Sequence, residues 1–335
     1  MAADPQPAPR LGTIRRMQRI SDADGFFRVA AIDHPENYLA LFDRDLTRVG
    51  FGEVVESKLE LIEGMAGHCT AVLVDPVWSF GQAVLTGALP GTVGLISGLE
   101  RLAYSPEGFG TETVLRERWT VPVLSRLGAD AAKLVVFYRA ELGEVAERQQ
   151  ALVRELVERC REAELPLVVE PLWYPLEHED VSDVAVRRAR ASAIVDAARV
   201  FARLGPDVMK VEFPGDLDDG PAEDAAAERC AELDAAVDVP WVLLSSSATF
   251  AQFRRQLEIA SAAGASGFMA GRAIWGDAVG RFEAPRRRAG VESACARLDE
   301  LRDVVHAHGR PWRTPPSVQA AIEALPADWH ETYRV

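Results

Sequence analysis

Eight short apolar runs, rich in Val, Leu, Ile and Phe, recur along this chain, and longer amphipathic stretches separate most of them. Such alternation marks β-α units around a parallel sheet, in which each strand is followed by a helix that carries the chain back across the sheet face. In order the runs are "FRVAAIDH" from Phe27, "AVLVDP" from Ala71, "VGLISGL" from Val93, "AAKLVVFY" from Ala131, "PLVVEPL" from Pro166, "VMKVEFP" from Val208, "WVLLSSS" from Trp241 and "GFMAGRAIW" from Gly267. The clearest helix follows the fourth run, where Val145, Leu152, Leu156, Val157 and Cys160 recur at three- and four-residue steps with charges between them. Eight strands with intervening helices in one domain predict a (β/α)8 TIM barrel. A doubly wound open sheet is the other arrangement of such units, but no GxGxxG follows the first run, which ends in "AIDHPENY". The third unit departs most from the pattern: "RLAYSPEGFGTETVLRERW" mixes turn residues with a short helical stretch, as a long active-site loop would.

The two ends read differently from the middle. "MAADPQPAPR" is rich in Pro and Ala, so residues 1–19 are expected to form a disordered or loosely attached tail, with the barrel over 20–300 and a C-terminal extension over 301–335. The extension, "RTPPSVQAAIEALPADWHETYRV", is broken by prolines and is expected either to cover one end of the barrel or to pair with another subunit, so a homo-oligomer is anticipated. No stretch approaches the roughly 20 uninterrupted apolar residues of a membrane span, and the N-terminus lacks a basic-then-apolar signal, which points to a cytoplasmic protein. A formal charge of −14 argues against nucleic acid as a partner, with "RRR" at Arg286 to Arg288 the local exception. Cys69, Cys160, Cys230 and Cys295 lie far apart with no CxxC pair, the pattern of reduced thiols rather than of a disulfide framework or a zinc knuckle.

Within the apolar runs, a few ionisable residues stand out. Alternate residues of a barrel strand point in and out, and the outward ones pack against helices and are apolar. In "VMKVEF", Met209, Val211 and Phe213 form the outward set, which turns Val208, Lys210 and Glu212 inward. The same parity sends Lys133 inward in "AAKLVVF" and Glu170 inward in "PLVVEPL", while Asp33 and Asp75 follow the rule at the ends of the first two strands. These six side chains converge from five strands, and the C-terminal face of such a barrel is where active sites are built.

A buried lysine either finds a carboxylate or loses its proton. A neutral amine beside a second cation, here Lys210 beside Lys133, is a nucleophile suited to a carbonyl carbon and to Schiff-base formation. The protonated imine is then an electron sink for the carbanion left when a neighbouring C–C bond breaks, and Glu170 or Asp33 is available to move protons. A buried ion-pair network without chemistry is the alternative for any single Lys–Glu pair. Two inward lysines with several carboxylates at one mouth favour the catalytic reading.

The seventh run ends in "LLSSSATF" and the eighth in "MAGRAIW", at the position where many barrels bind phosphate. Ser245, Ser246, Gly271 and Arg272 suit that role, the glycine by letting backbone approach the ligand and the arginine by gripping two oxygens. Together with Lys210 they describe a pocket for a phosphorylated carbonyl compound.

"GADAAKLVVFY", "LPLVVEPLWY", "DVMKVEFP", "WVLLSSSATF" and "GFMAGRAIWGDAV", in this order and spacing, resemble the class I tagatose-1,6-bisphosphate aldolase family, to which the sulfofructose-phosphate aldolases are related; "GFFRVAAIDH" and "AVLVDPVW" fit its first two strands. The resemblance runs from about Ile20 to Ala278. It implies a (β/α)8 barrel that needs no metal or other cofactor and cleaves a ketose bisphosphate into dihydroxyacetone phosphate and an aldehyde phosphate. It also implies that Lys210 is the Schiff-base lysine, Glu170 the active-site carboxylate, Lys133 the second lysine and Asp33 the strand-one aspartate, with phosphate at Ser245, Gly271 and Arg272. Where that family follows the strand-one aspartate with Gln-Arg to hold the distal phosphate or sulfonate, this chain has His34-Pro35. Histidine is charged only part of the time at neutral pH and proline has no donor, so the distal group is expected to differ.

Asp75, Glu212 and His34 complete the expected substrate-facing set. A transaldolase or dehydratase would use the same imine, and a non-catalytic sugar-phosphate sensor would keep the pocket without the chemistry. A zinc-dependent aldolase fits less well, because His34, His68, His178, His306, His308 and His330 show no ligand spacing on adjacent strand ends. Tyr333 is close enough to the C-terminus to reach over the pocket as a mobile acid or to fray.

Overall fold

The computed structural model describes residues 10–101, 112–217 and 220–333. Strands β1 (Phe27–Ala31), β2 (Ala71–Val74), β3 (Gly94–Gly98), β4 (Ala131–Phe137), β5 (Leu167–Leu172), β6 (Val208–Val211), β7 (Trp241–Leu243) and β8 (Gly267–Ala270) pair in sequence order, all parallel, and β8 returns to β1 to close the barrel. Helices α1 (Leu11–Ile20), α2 (Pro35–Leu39), α3 (Phe51–Met65), α4 (Phe80–Thr86), α5 (Val121–Arg126), α6 (Glu144–Glu162) and α7 (Val184–Ala202) accompany the first half. The second half carries α8 (Gly220–Ala236), α9 (Phe250–Ala263), α10 (Arg272–Trp275) and α11 (Ala284–His308), followed by the short α12 (Val318–Ala324) and α13 (Trp329–Thr332).

Side-chain parity divides the core into two layers. Val29, Ala31, Leu73, Ile96, Ala131, Val168, Val208, Val242 and Met269 fill the barrel interior. Their strand neighbours Ala30, Val72, Val74, Ala132, Leu134, Val136, Met209, Val211 and Phe213 face out against the helices. The predicted stripe on α6 does that job, with Leu156, Val157 and Cys160 buried and Val145 and Leu152 half-buried. Closure demands a glycine at Gly267: it pairs with Phe27 at φ +140°, and a Cβ there would lie 1.9 Å from the Phe27 carbonyl oxygen. The eighth run is shorter as a strand than as a string, because the chain turns at Gly271 and "RAIW" becomes α10.

The N-terminal tail is a correction. From Leu11 the chain is helical, and Met17 and Ile20 of α1 join the interior cluster from below. Arg10 pairs with Asp207 and Arg19 with Asp130, both residues that enter strands from the N-terminal side of the barrel. An amphipathic stripe with buried Thr13, Met17 and Ile20 lies behind the Pro- and Ala-rich opening, of which residues 1–9 fall outside the described residues. The far boundary also moves, since α11 continues unbroken through position 300 to His308. Beyond it the extension returns across the same bottom face: Trp312 donates from its backbone to Gly25 O at 3.0 Å and from Nε1 to Ser21 Oγ at 3.0 Å. Tyr333 ends there too, its hydroxyl accepting from Leu11 N at 2.7 Å and donating to Glu164, at the end opposite the candidate site.

The third unit is built as its sequence suggests, with a five-residue strand and a six-residue helix, α5, where the fourth unit has the nineteen-residue α6. Residues 102–111 of its connection lie outside the described residues. The cysteines are free; burial pushes the Cys69, Cys160 and Cys230 thiols up to about 12. No helix among the described residues is long and apolar enough to cross a membrane.

Candidate active site

Above the apolar interior layer, the inward positions at the C-terminal ends of the strands become ionisable. Lys133 on β4 is at the centre. Its Nζ donates to Asp33 Oδ2 and to Glu100 Oε1, each at 2.9 Å, and lies 2.9 Å from Glu170 Oε2. The other oxygen of Glu170, Oε1, lies 2.9 Å from Lys210 Nζ on β6. Glu170 on β5 thus bridges the two amines. His34 Nδ1 lies 3.0 Å from Asp33 Oδ1 on the far side of the cluster.

The two amines and the carboxylate between them are buried: the Lys133 side chain is 0% exposed, that of Lys210 2% and that of Glu170 3%. Burial by itself pushes a carboxylate up and an ammonium down. At Asp33 the nearby His34 and Lys133 outweigh burial and hold the carboxyl well below the usual aspartate range. Burial likewise raises Glu170, but Lys133 and Lys210 prevail and lower it. For Lys133, burial is overcome by Asp33, Glu100 and Glu170, which hold the ammonium well above its ordinary value. Lys133 is therefore a fixed cation, and Asp33 and Glu170 beside it are held ionised.

A cavity of about 690 Å³ opens over this cluster, with Lys210, Glu170, His34 and Glu212 on its wall. Ser245, Ser246, Gly271 and Arg272 line the same cavity from the ends of β7 and β8. Gly271 N donates to Ser245 Oγ at 3.3 Å, which ties the end of β8 to the end of β7, and a Cβ on Gly271 would crowd the Ala31 carbonyl oxygen at 3.0 Å, so the missing side chain lets the end of β8 lie close against β1. Ser246 adopts φ +46°, a left-handed conformation that non-glycine residues rarely take. Arg272 is exposed and has no ion-pair partner among the described residues.

Asp75 is placed differently from the expectation that it faces substrate. Its Oδ2 lies 2.5 Å from the Nζ of Lys58, a fully buried lysine on α3, and 2.8 Å from Ser79 Oγ. Its Oδ1 accepts from Val77 N and Trp78 N at 2.8 Å each. Both oxygens are committed to holding the β2–α4 turn, and Asp75 is absent from the cavity wall. Lys58 also donates to Ile32 O at 2.7 Å, beside Asp33. Glu212 reaches the rim, where Oε2 accepts from Trp173 N at 3.1 Å and Oε1 pairs with Arg190 of α7 at 2.6 Å.

Two contributors went unread in the sequence. Glu100 follows the inward parity of Gly94, Ile96 and Gly98, so alternation along the third run identifies it. Arg190 lines the cavity from a helix, where strand parity gives no signal. Among the described residues, the group with metal-ligand geometry is Asp22, Asp24 and His306 on the outer surface, away from this cavity, and Asp22 already pairs there with Arg28 and His306.

The chain is 27% identical over 321 residues to tagatose 1,6-diphosphate aldolase 1 of Streptococcus mutans serotype c, covering 89% of this chain and 96% of that protein. It is 24% identical over 322 residues to the tagatose 1,6-diphosphate aldolase of Lactococcus lactis subsp. lactis, with 89% and 96% covered. In fold it is similar to an archaeal fructose 1,6-bisphosphate aldolase solved with its catalytic lysine bound to a carbinolamine (TM-score 0.58, 20% identity, 88% and 99% covered). It is similar also to the fructose-bisphosphate aldolase of Plasmodium falciparum (TM-score 0.68, 12% identity, 91% and 98% covered). The DeoC/LacD family aldolase model matches residues 31–277, well over half of the chain, and the chain therefore belongs to that family.

Proposed function

We propose that this protein is a class I aldolase that cleaves or forms a C–C bond in a ketose phosphate through an imine at Lys210. The observation that carries the reading is the Glu170 bridge: one oxygen 2.9 Å from Lys210 Nζ, the other 2.9 Å from Lys133 Nζ, beneath an open cavity. Glu170 takes a proton from Lys210, and the neutral amine attacks the ketone carbon. The same carboxyl carries two protons in turn to the carbinolamine oxygen, the one it took from Lys210 and a second from the attacking nitrogen, and that oxygen leaves as water and gives the iminium. Cleavage then follows as a carboxylate, Glu170 or Asp33, takes the proton of the hydroxyl on the far carbon of the breaking bond, which becomes the aldehyde carbonyl. The bond's electron pair moves into the iminium, and an aldehyde departs. Protonation of the resulting enamine and hydrolysis release the ketone and restore Lys210. Lys133, a fixed cation, keeps the carboxylates ionised between proton transfers.

The phosphate of the ketose is assigned to the serines after β7 and to Gly271 with Arg272, whose guanidinium carries no competing carboxylate among the described residues. At the other end of the substrate, Pro35 is the first residue of α2 and offers no N–H, and His34 is already engaged by Asp33. The cation facing the cavity from α7 is Arg190. The substrate's distal group is therefore proposed to differ from that of the tagatose-bisphosphate enzymes, whose names give the substrate of those proteins and not of this one.

Borohydride reduction in the presence of dihydroxyacetone phosphate, followed by peptide mass spectrometry, tests the reading. The expected result is one adduct, on Lys210, that disappears in Lys210→Met; Met keeps the volume and removes the amine. Glu170→Gln is expected to slow adduct formation by about 10²- to 10⁴-fold, the usual range for a positioned acid-base group. An unmodified Lys210, or an adduct elsewhere, rejects the proposal.

A further inference from the structure

Glu100 has no part in the steps above, yet its carboxylate is 3% exposed and sits 2.9 Å from Lys133 Nζ. The strand is shaped to allow this. Gly98 pairs with Lys133 across β3 and β4, and a Cβ on Gly98 would lie 2.9 Å from Glu100 Oε1, so the missing side chain is the space the carboxylate occupies. Two lysines then face three carboxylates, Asp33, Glu100 and Glu170, and with every group ionised the cluster carries one net negative charge.

That count matters for the proton. If Lys210 shed its proton to solvent, a second net negative charge would remain in a buried site, which desolvation strongly disfavours. If the proton moves to Glu170, the net charge is unchanged, and Lys133 still faces two carboxylates because Glu100 is there. We propose that Glu100 is a positioning residue that, through Lys133, sets the charge against which Lys210 and Glu170 exchange their proton. This role rests on the imine reading of Lys210. Among the described residues, the other charged or titratable groups facing the cluster are His34 beside Asp33, the Glu212–Arg190 pair and Arg272 on the cavity wall, the Lys58–Asp75 pair behind β1, and Arg116, whose Nε donates to the backbone oxygen of Glu100 at 3.2 Å. None of them takes the place of Glu100 on Lys133.

The pH dependence of borohydride trapping on Lys210 reads this out. Its acid limb marks uptake of an extra proton by the coupled groups, and its alkaline limb marks loss of the proton that Glu170 must return. Glu100→Gln deletes one negative charge, so every proton in the cluster is held less tightly. Both limbs are expected to move to lower pH by about one unit, a tenfold change in proton affinity. Glu100→Asp keeps the charge and is expected to leave the limbs within a few tenths of a unit of wild type. Gly98→Ala, which pushes the Glu100 carboxylate off Lys133 without deleting it, is expected to shift both limbs the same way by less, and it keeps the test open if Glu100→Gln fails to fold. Slower trapping with unmoved limbs in Glu100→Gln, or in Gly98→Ala where that alone folds, would show a purely structural role and overturn the proposal. So would an equal shift in Glu100→Asp. Absence of the adduct from the wild type is a separate outcome and overturns the imine reading itself.

Discussion

At Asp33, burial and pairing act in opposite directions on one side chain, and pairing wins. Its carboxyl is 4% exposed, yet His34 and Lys133 hold it well below the ordinary aspartate value of 3.8. A carboxylate depressed in the folded state contributes stability that is fully present above its unfolded value and is lost as pH falls through the folded one, because the unfolded chain binds the proton first. Glu170 follows the same rule below its ordinary 4.5. Lys133 behaves oppositely: raised above 10.5, it contributes below that value and loses its contribution only as pH climbs through the folded one. The cluster should therefore stabilise the fold evenly across neutral pH and weaken on the acid side. Urea unfolding of wild type and Asp33→Asn is expected to show a gap in unfolding free energy that is constant from pH 8 to pH 5 and narrows below about pH 3.8, where Asp33 of the unfolded chain takes up its proton while the folded carboxyl is still ionised. A gap that does not change between pH 7 and pH 3 would mean that Asp33 contributes by packing alone.

Lys58 shows what a single side chain does between elements. It rises from α3 to bind the Ile32 carbonyl at the end of β1 and Asp75 at the end of β2, with the rings of Tyr38 and Trp78 over it. Replacing it with Met leaves a buried, unpaired aspartate, so Lys58→Met is expected to cost about 3–5 kcal/mol in equilibrium unfolding. The double variant Lys58→Met, Asp75→Asn should lose clearly less than the sum of the two single changes, because it buries no unpaired charge. Additive losses would place the effect in packing. This pair also marks the limit of what the sequence discloses. Strand alternation puts Lys133, Glu170, Lys210 and Asp33 on the inward face, and the same alternation puts Asp75 there, but the partner that claims Asp75 comes from a helix, and no strand period reveals it. Glu100 obeys the alternation too, hidden in a glycine-rich strand whose following helix is short. The barrel itself is legible because eight apolar runs must each bury two faces. Helix α1 is not, because its stripe of Thr13, Met17 and Ile20 is brief and adjoins a stretch with the composition of a loose tail.

At the scale of the whole molecule the two ends of the barrel do different work. The C-terminal end gathers the charges and the open cavity, while the N-terminal end is sealed by Met17 and Ile20 from α1 and by Trp312 from the extension, packed under the innermost strand residues. In barrels of this kind the bottom face serves stability and the top face chemistry, and here the bottom seal is assembled from the two ends of the chain. Trp312 is half-buried and anchored through Nε1 to Ser21, so Trp312→Ala removes both a ring and a hydrogen bond. The change is expected to lower unfolding stability by roughly 2–3 kcal/mol, somewhat under the range for a fully buried tryptophan. Because the whole interior layer separates Trp312 from Lys210, the rate of borohydride trapping at 25 °C, normalised to folded protein, should stay within about twofold of wild type. The two measurements belong together. A loss of stability with trapping intact is what a seal predicts; a parallel fall in trapping would mean that the bottom of the barrel sets the position of the lysine at its top.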